Sequence, residues 1–218
     1  MTSTTDVPLI LASESPRRRE LLRQAGYRFV VKAAPIDEDA VDASLAPAAC
    51  VERLAHLKAM AAVEAHGLRA GLVLGADTAV ELAGRMIGKP ADEADARRIL
   101  SELSGSVHHV LTGLALVDAA AGRRWLACDS TAVRMRPMTA EEIAAYVASG
   151  EAMGKAGAYA LQETGDRYVE SIEGSWTNVV GLPMELLERM LKAAGFEPAD
   201  FRNTQEGTGN GERGTGDE

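Results

Sequence analysis

The chain has 218 residues, 46% of them hydrophobic and 25% charged, enough to bury one full core. Its net charge of −9 excludes a general nucleic-acid binder, which would need a basic footprint. Cys50 and Cys128 are far apart with no CxxC spacing, residues 1–8 carry no signal-peptide pattern and no apolar run reaches membrane-spanning length, so a reducing, cytoplasmic protein without membrane contact is expected.

Residues 1–7 are polar and read as a loose N-terminus. Leu9–Ala12 is a short apolar run that suits a buried strand. Ser15 then suits an N-cap and Pro16 the first helical position. Leu21, Leu22 and Ala25 form the apolar face, and Gly26 stops the helix. Arg17, Arg18 and Arg19 fall in its first turns, the wrong pole for cations, at about 0.3–1 kcal/mol each. Arg19 and Arg23 read as a solvated face. For Arg17 and Arg18 an anion held by guanidinium groups, serine hydroxyls and free N–H groups would offset the penalty, and a phosphate chain is the natural candidate.

Tyr27–Val31 reads as a second strand beside the first. An acidic loop follows at Ala33–Asp39, where one carboxylate could hold Mg²⁺ or Mn²⁺ if it faced the arginines. Pro47–Ala65 is helical. Lys58 falls inside its apolar stripe, either as a snorkelling side chain or reaching for a phosphate, while His56 and His66 fall off the stripe and read as surface residues. Leu72–Val80 is apolar on both faces, as in a doubly buried strand, yet Asp77 interrupts it. A carboxylate there needs a backbone partner, a metal or a catalytic task. Gly75 allows a close approach, and Thr78 adds a hydroxyl beside the acid.

Ala83-Gly84 reads as a hairpin turn leading to Gly88-Lys89-Pro90, and no P-loop pattern occurs. Asp92 N-caps a helix through Leu103. Ser106–Val117 and Arg124–Arg136 form a long antiparallel pair, so the sheet is mixed, and His108 and His109 read as structural. Thr139 and Glu142 form a capping box for a helix that closes at Gly150. In Lys155–Gln162 the small residues permit close packing or a close ligand, and Gln162 could read a uracil or thymine edge or be an ordinary loop amide. Arg167–Ile172 and Trp176–Val180 read as a hairpin around Glu173-Gly174-Ser175. A last helix follows Pro183, and from about Glu197 the composition has nothing to bury and reads as a disordered tail over 197–218.

The stretches LILASESPRRRELL (Leu9–Leu22), LGADT (Leu74–Thr78) with Gly88-Lys89-Pro90, LSGSVHHVLT (Leu103–Thr112) and KAGAYALQ…IEGSWTNVVGLP (Lys155–Pro183) together resemble the Maf family of nucleoside triphosphate pyrophosphatases. The resemblance runs in consistent order over residues 8–195, as one domain. It implies a Maf/ITPase-like α/β fold, with an elongated central mixed sheet flanked by helices and two lobes around a cleft, often as a homodimer. It implies cleavage of a nucleoside triphosphate to the monophosphate and pyrophosphate with a divalent metal, in nucleotide-pool house-cleaning. Asp77 resembles the proton acceptor and Glu38 an acidic residue near the metal, with Asp77 as base or metal ligand; Ser13, Arg18, Lys58 and Lys89 resemble phosphate-pocket residues. Arg17, Thr78 and Gln162 resemble the positions separating subgroups, in the dTTP/UTP pattern. Glu163 stands where the family has glycine. Purine-directed hydrolysis (inosine or 7-methyl-GTP) and a non-enzymatic, nucleotide-binding regulator of septum formation are the competing readings.

Overall fold

Long strands set the frame, and their two faces are covered differently. In the computed structural model, residues 7–38, 41–42, 44–161 and 164–202 are described. In chain order the elements are β1 (Leu9–Leu11), α1 (Pro16–Gln24), β2 (Phe29–Val31), α2 (Pro47–Ala65), β3 (Leu72–Leu82), β4 (Arg85–Ile87), α3 (Glu93–Leu103), β5 (Val107–Asp118), β6 (Arg124–Met135), α4 (Ala140–Ala148), β7 (Val169–Glu173), α5 (Trp176–Val180) and α6 (Met184–Ala193). The seven strands form one mixed sheet in the order β2-β1-β3-β5-β6-β7, with β4 added to β3. β1 is parallel to β2 and β3, and the remaining pairs are antiparallel.

The expected start signals operate. The Ser15 side chain accepts from the Arg18 N–H with Pro16 following, Asp92 caps α3, and Thr139 and Glu142 close a capping box on α4. α2 lies on one face of the sheet, where Ala55, Ala59 and Ala62 pack on Ile10, Val73 and Ala115. This helix rests on glycines: a Cβ on Gly75 would lie 2.0 Å from the Ala55 carbonyl oxygen, and one on Gly113 2.4 Å from that of Val51. The close approach foreseen at Gly75 is therefore to helix backbone. His56 of the same helix, read as a surface residue, is buried at 6% exposure.

The opposite face carries two cores. One joins Leu72, Leu74, Leu114 and Leu116 to α1 and α6; the other joins Val80, Val110 and Val133 to α3 and α4. Between them the sheet presents Thr78, paired with Thr112 in register, and on the next strand Thr131, in register with Val110. This hydroxyl seam separates the two halves.

Two stretches depart from expectation. Trp176–Val180 is helix, not the second arm of a hairpin: Ser175 caps it by accepting from the Asn178 N–H, and β7 pairs with β6 instead. Its aromatic and β-branched residues favour strand, but packing over the seam overrides that weak preference. Beyond Glu197 the chain stays in the fold as far as Arg202. Pro198–Phe201 forms a 3₁₀ turn, Phe201 is buried, and Tyr27 bridges to Arg202.

One edge of β3 matters most. β5 pairs with it from Leu72 to Glu81. On the other edge β1 pairs only as far as Leu74, and β4 begins at Val80. Residues 75–79 lie in the interval between those two partners.

Candidate active site

A cleft of about 420 Å³ opens at that interval, walled by the start of α1, by Asp77, Thr78 and Val80 of β3, by Lys89, by the segment 153–161 and by the end of α5. Asp77 and Thr78 are consecutive on a strand and point to opposite faces. They line one cleft because, among the described residues, no strand covers that edge beside them.

On the α2 face, the close approach at Gly75 brings Lys58 over the strand. Its Nζ lies 2.5 Å from Asp77 Oδ1 and 2.7 Å from Glu38 Oε1. Lys58 is neither a snorkelling edge residue nor solvated; its side chain is only 18% exposed. The Lys58 hydrogen bond holds the Glu38 carboxyl below the usual carboxylate range, so it is ionised at neutral pH. Among the described residues no group of three or more His, Cys, Asp and Glu side chains gathers into a metal cage. Glu38 and Asp77, which both meet the Lys58 ammonium, are the carboxylates that could hold a divalent metal completed by substrate phosphates and water.

On the opposite face stands Arg18. Its Nε donates to the Gly181 carbonyl at 2.8 Å, and one terminal nitrogen donates to Ser13 Oγ at 3.0 Å and to the Ala76 carbonyl at 2.9 Å. The other reaches Thr78 Oγ1 at 3.0 Å. Four of its five N–H groups are thus spent on the protein. Burial draws Arg18 down to about 10, which leaves it cationic at neutral pH. Ser13 Oγ also accepts from the Ser15 N–H, and Ser13 stands behind Arg18 rather than in the cleft wall.

Arg17 and Lys89 line the cleft, and among the described residues neither has an ion-pair partner. Arg17, Arg18, Lys58, Asp77, Thr78 and Lys89 are therefore brought together, with Glu38 joined through Lys58. Gln162 and Glu163 lie outside the described residues.

Sequence reasoning allowed a close ligand at Lys155–Gln162 but named no other residue of the far wall. Tyr159 and Val179 line the cleft with Val80 and Val110, beside Lys155, so apolar side chains share it with the cations. The Gly157 N–H donates to the Gly88 carbonyl at 3.2 Å, tying this segment to the turn that carries Lys89. Tyr159 is backed by His108, whose Nε2 is 2.7 Å from the phenol oxygen. The crowding of small residues in Lys155–Ala160 was the available signal. His108 and His109 are structural, as expected: His108 supports Tyr159 and His109 pairs with Glu81.

No described helix is long and apolar enough to cross a membrane, and both cysteines are free. Among curated proteins, the chain is 47% identical over 188 residues to the dTTP/UTP pyrophosphatase of Pelotomaculum thermopropionicum, covering 86% of this chain and 97% of that protein. It is 49% identical over 189 residues to the one from Moorella thermoacetica, covering 87% and 96%. It is 46% identical over 192 residues to the one from Burkholderia pseudomallei, covering 84% and 92%. The Maf-like protein family matches residues 8–194, which span every strand and the whole wall of the cleft, and the chain belongs to that family.

Proposed function

We propose that this chain hydrolyses dTTP and UTP to the nucleoside monophosphate and pyrophosphate. The observation that carries the reading is one cleft lined both by a carboxylate with several cations and by apolar side chains such as Val80, Val110 and Val179. Triphosphate and nucleobase need those two environments side by side. The names of the relatives and the Arg17, Thr78 and Gln162 pattern supply the choice of pyrimidine.

Water attacks the α-phosphoryl group, and the bridging oxygen leaves with pyrophosphate. Asp77 takes the proton of the attacking water. Arg17, Lys58 and Lys89 neutralise charge on the oxygens of the leaving pyrophosphate, in a cleft where they are already positioned. A divalent cation held by Glu38 and Asp77 would add Lewis-acid polarisation of a phosphoryl oxygen and acidify bound water. Arg18 acts through the frame: its bonds to Ala76, Gly181 and Thr78 fix the strand against the α5–α6 junction. Ser13 supports Arg18 in turn. A cytoplasmic homodimer belongs to the same proposal, and sedimentation of the purified chain tests its oligomeric part.

The test is pyrophosphate release over a panel of dTTP, UTP, CTP, GTP, ITP and 7-methyl-GTP, with and without Mg²⁺ or Mn²⁺. Turnover of dTTP and UTP above the rest, dependent on the metal, is the expected result. Preference for a purine triphosphate overturns the substrate assignment. Tight binding of nucleotide with no turnover under any metal overturns the reaction and favours the regulator reading.

A further inference from the structure

The hydroxyl seam has a direction. A threonine hydroxyl carries one hydrogen and accepts two. Arg18 can only donate, so its 3.0 Å contact takes one lone pair of Thr78 Oγ1. Thr112 Oγ1 lies 3.1 Å from the Asn178 backbone carbonyl, which can only accept, so the Thr112 hydrogen is spent there. The 3.0 Å between the Thr78 and Thr112 oxygens must then be bridged by the hydrogen of Thr78.

Asn178 locks the far end. Its Nδ2 donates to the Val110 carbonyl and to Thr131 Oγ1, both at 2.9 Å. Turning the amide over would set its oxygen against the Val110 carbonyl. Thr131 in turn donates to the Ser175 carbonyl at 3.2 Å and accepts from the Ser175 N–H at 3.1 Å. Thr112, Thr131 and Asn178 are all at 0% exposure, so solvent does not scramble the order.

We infer that Thr112 and Asn178 are positioning residues for substrate selection: they hold Thr78 as a hydrogen-bond acceptor toward the cleft, so the nucleotide must offer a donor there. This rests on the dTTP/UTP pyrophosphatase reading and deepens it. Phosphate oxygens at neutral pH accept and do not fit. Thr78 has the Arg18 guanidinium 3.0 Å away, and Val80, in register with Val110, follows it on the same face of the strand, so a nucleotide held by the cations would pass its sugar or base beside Thr78. The donors available are the ring N3–H of uracil or thymine, which cytosine lacks, and a sugar hydroxyl.

The experiment compares wild type with Thr112→Val, which removes the group that takes the Thr78 hydrogen, and with Thr112→Ser, which keeps it. UTP against CTP tests the ring donor, and dTTP against 2′,3′-dideoxy-TTP tests the sugar donor. In wild type one of these kcat/KM ratios favours the donor-bearing nucleotide. In Thr112→Val that ratio falls about tenfold, as loss of one well-placed hydrogen bond predicts, through KM more than kcat, and Thr112→Ser restores it. If all nucleotides lose rate in proportion, Thr112 is merely structural and the inference is overturned. Should Thr112→Val fail to fold, Thr78→Val must erase the same ratio, and an unchanged ratio there overturns it equally. A wild type that turns over no pyrimidine triphosphate rejects the function itself, and that appears before any variant is made.

Discussion

The two faces of β3 meet the same cleft with opposite chemistry. Over Asp77 the contacts are between charges, with Lys58 bridging two carboxylates whose side chains remain 13% and 46% exposed. Under Thr78 the contacts are a closed chain of arginine, hydroxyls and amide, most of it sealed. The first arrangement can exchange partners when a ligand brings charge; the second keeps its partners and leaves only one acceptor position of Thr78 toward the cleft. Consecutive arginines divide the same way: Arg17 lines the cleft with its guanidinium uncommitted among the described residues, while Arg18 is framework. Positive charge alone therefore does not mark a ligand group; the state of its hydrogen bonds does.

Asp77→Asn is expected to break the exchangeable face most completely. Turnover should fall by about 10²–10⁴-fold with the melting temperature kept close to wild type, as for loss of a general base. Near-normal turnover by pyrophosphate assay would remove Asp77 from that role.

Replacing the arginines separately sharpens the contrast. Arg18→Met leaves two backbone carbonyls and two hydroxyls without their donor, and by urea denaturation should cost about 3 kcal/mol of stability. Arg17→Ala should leave stability within about 0.5 kcal/mol, as for a surface site, and raise KM for the triphosphate in a way that weakens with salt. Equal stability losses in the two would erase the distinction.

Acid should strike the sealed side behind Tyr159. Burial holds the His108 imidazole down at about 4, against an ordinary 6.5, so the native state keeps it neutral. The unfolded chain binds the proton first as pH falls, and stability drops between about 6.5 and 4, by up to about 3 kcal/mol. Below that window both states are protonated and this contribution is flat. Carboxylates such as Glu38 titrate in acid too, so the check is His108→Gln, whose unfolding free energy should depend less on pH through the same range.

The smallest expected effect is at the entry to the cleft. Ser15→Ala removes the cap of α1 and should cost about 1 kcal/mol, with a modest rise in KM through the loosened Arg17. No change in either would mean that the Pro16 turn alone sets the helix start.

Much of this protein is written locally. Ser15-Pro16, Asp92 and the Thr139–Glu142 box place helix starts because each acts within a single turn, and the bounds of α2 follow from Pro47 and Gly67. The anomaly of Asp77 in an apolar run is legible for the same reason: burying a charge is costly wherever the strand ends up. What the chain does not show by itself is that Asp77 and Thr78, on opposite faces, share a cleft. That depends on β1 stopping at Leu74 and β4 starting at Val80, a coincidence of distant segments. Where Lys58 points was undecided by its helical position, and it depends on two glycines of the sheet, Gly75 and Gly113, that let its helix down onto the strands. The helical form of Trp176–Val180, and with it the buried amide of Asn178, came from a seam of threonines on three strands. Propensity and periodicity report on neighbours in the chain; edge gaps, close approaches and hydrogen-bond direction are fixed by partners dozens of residues away.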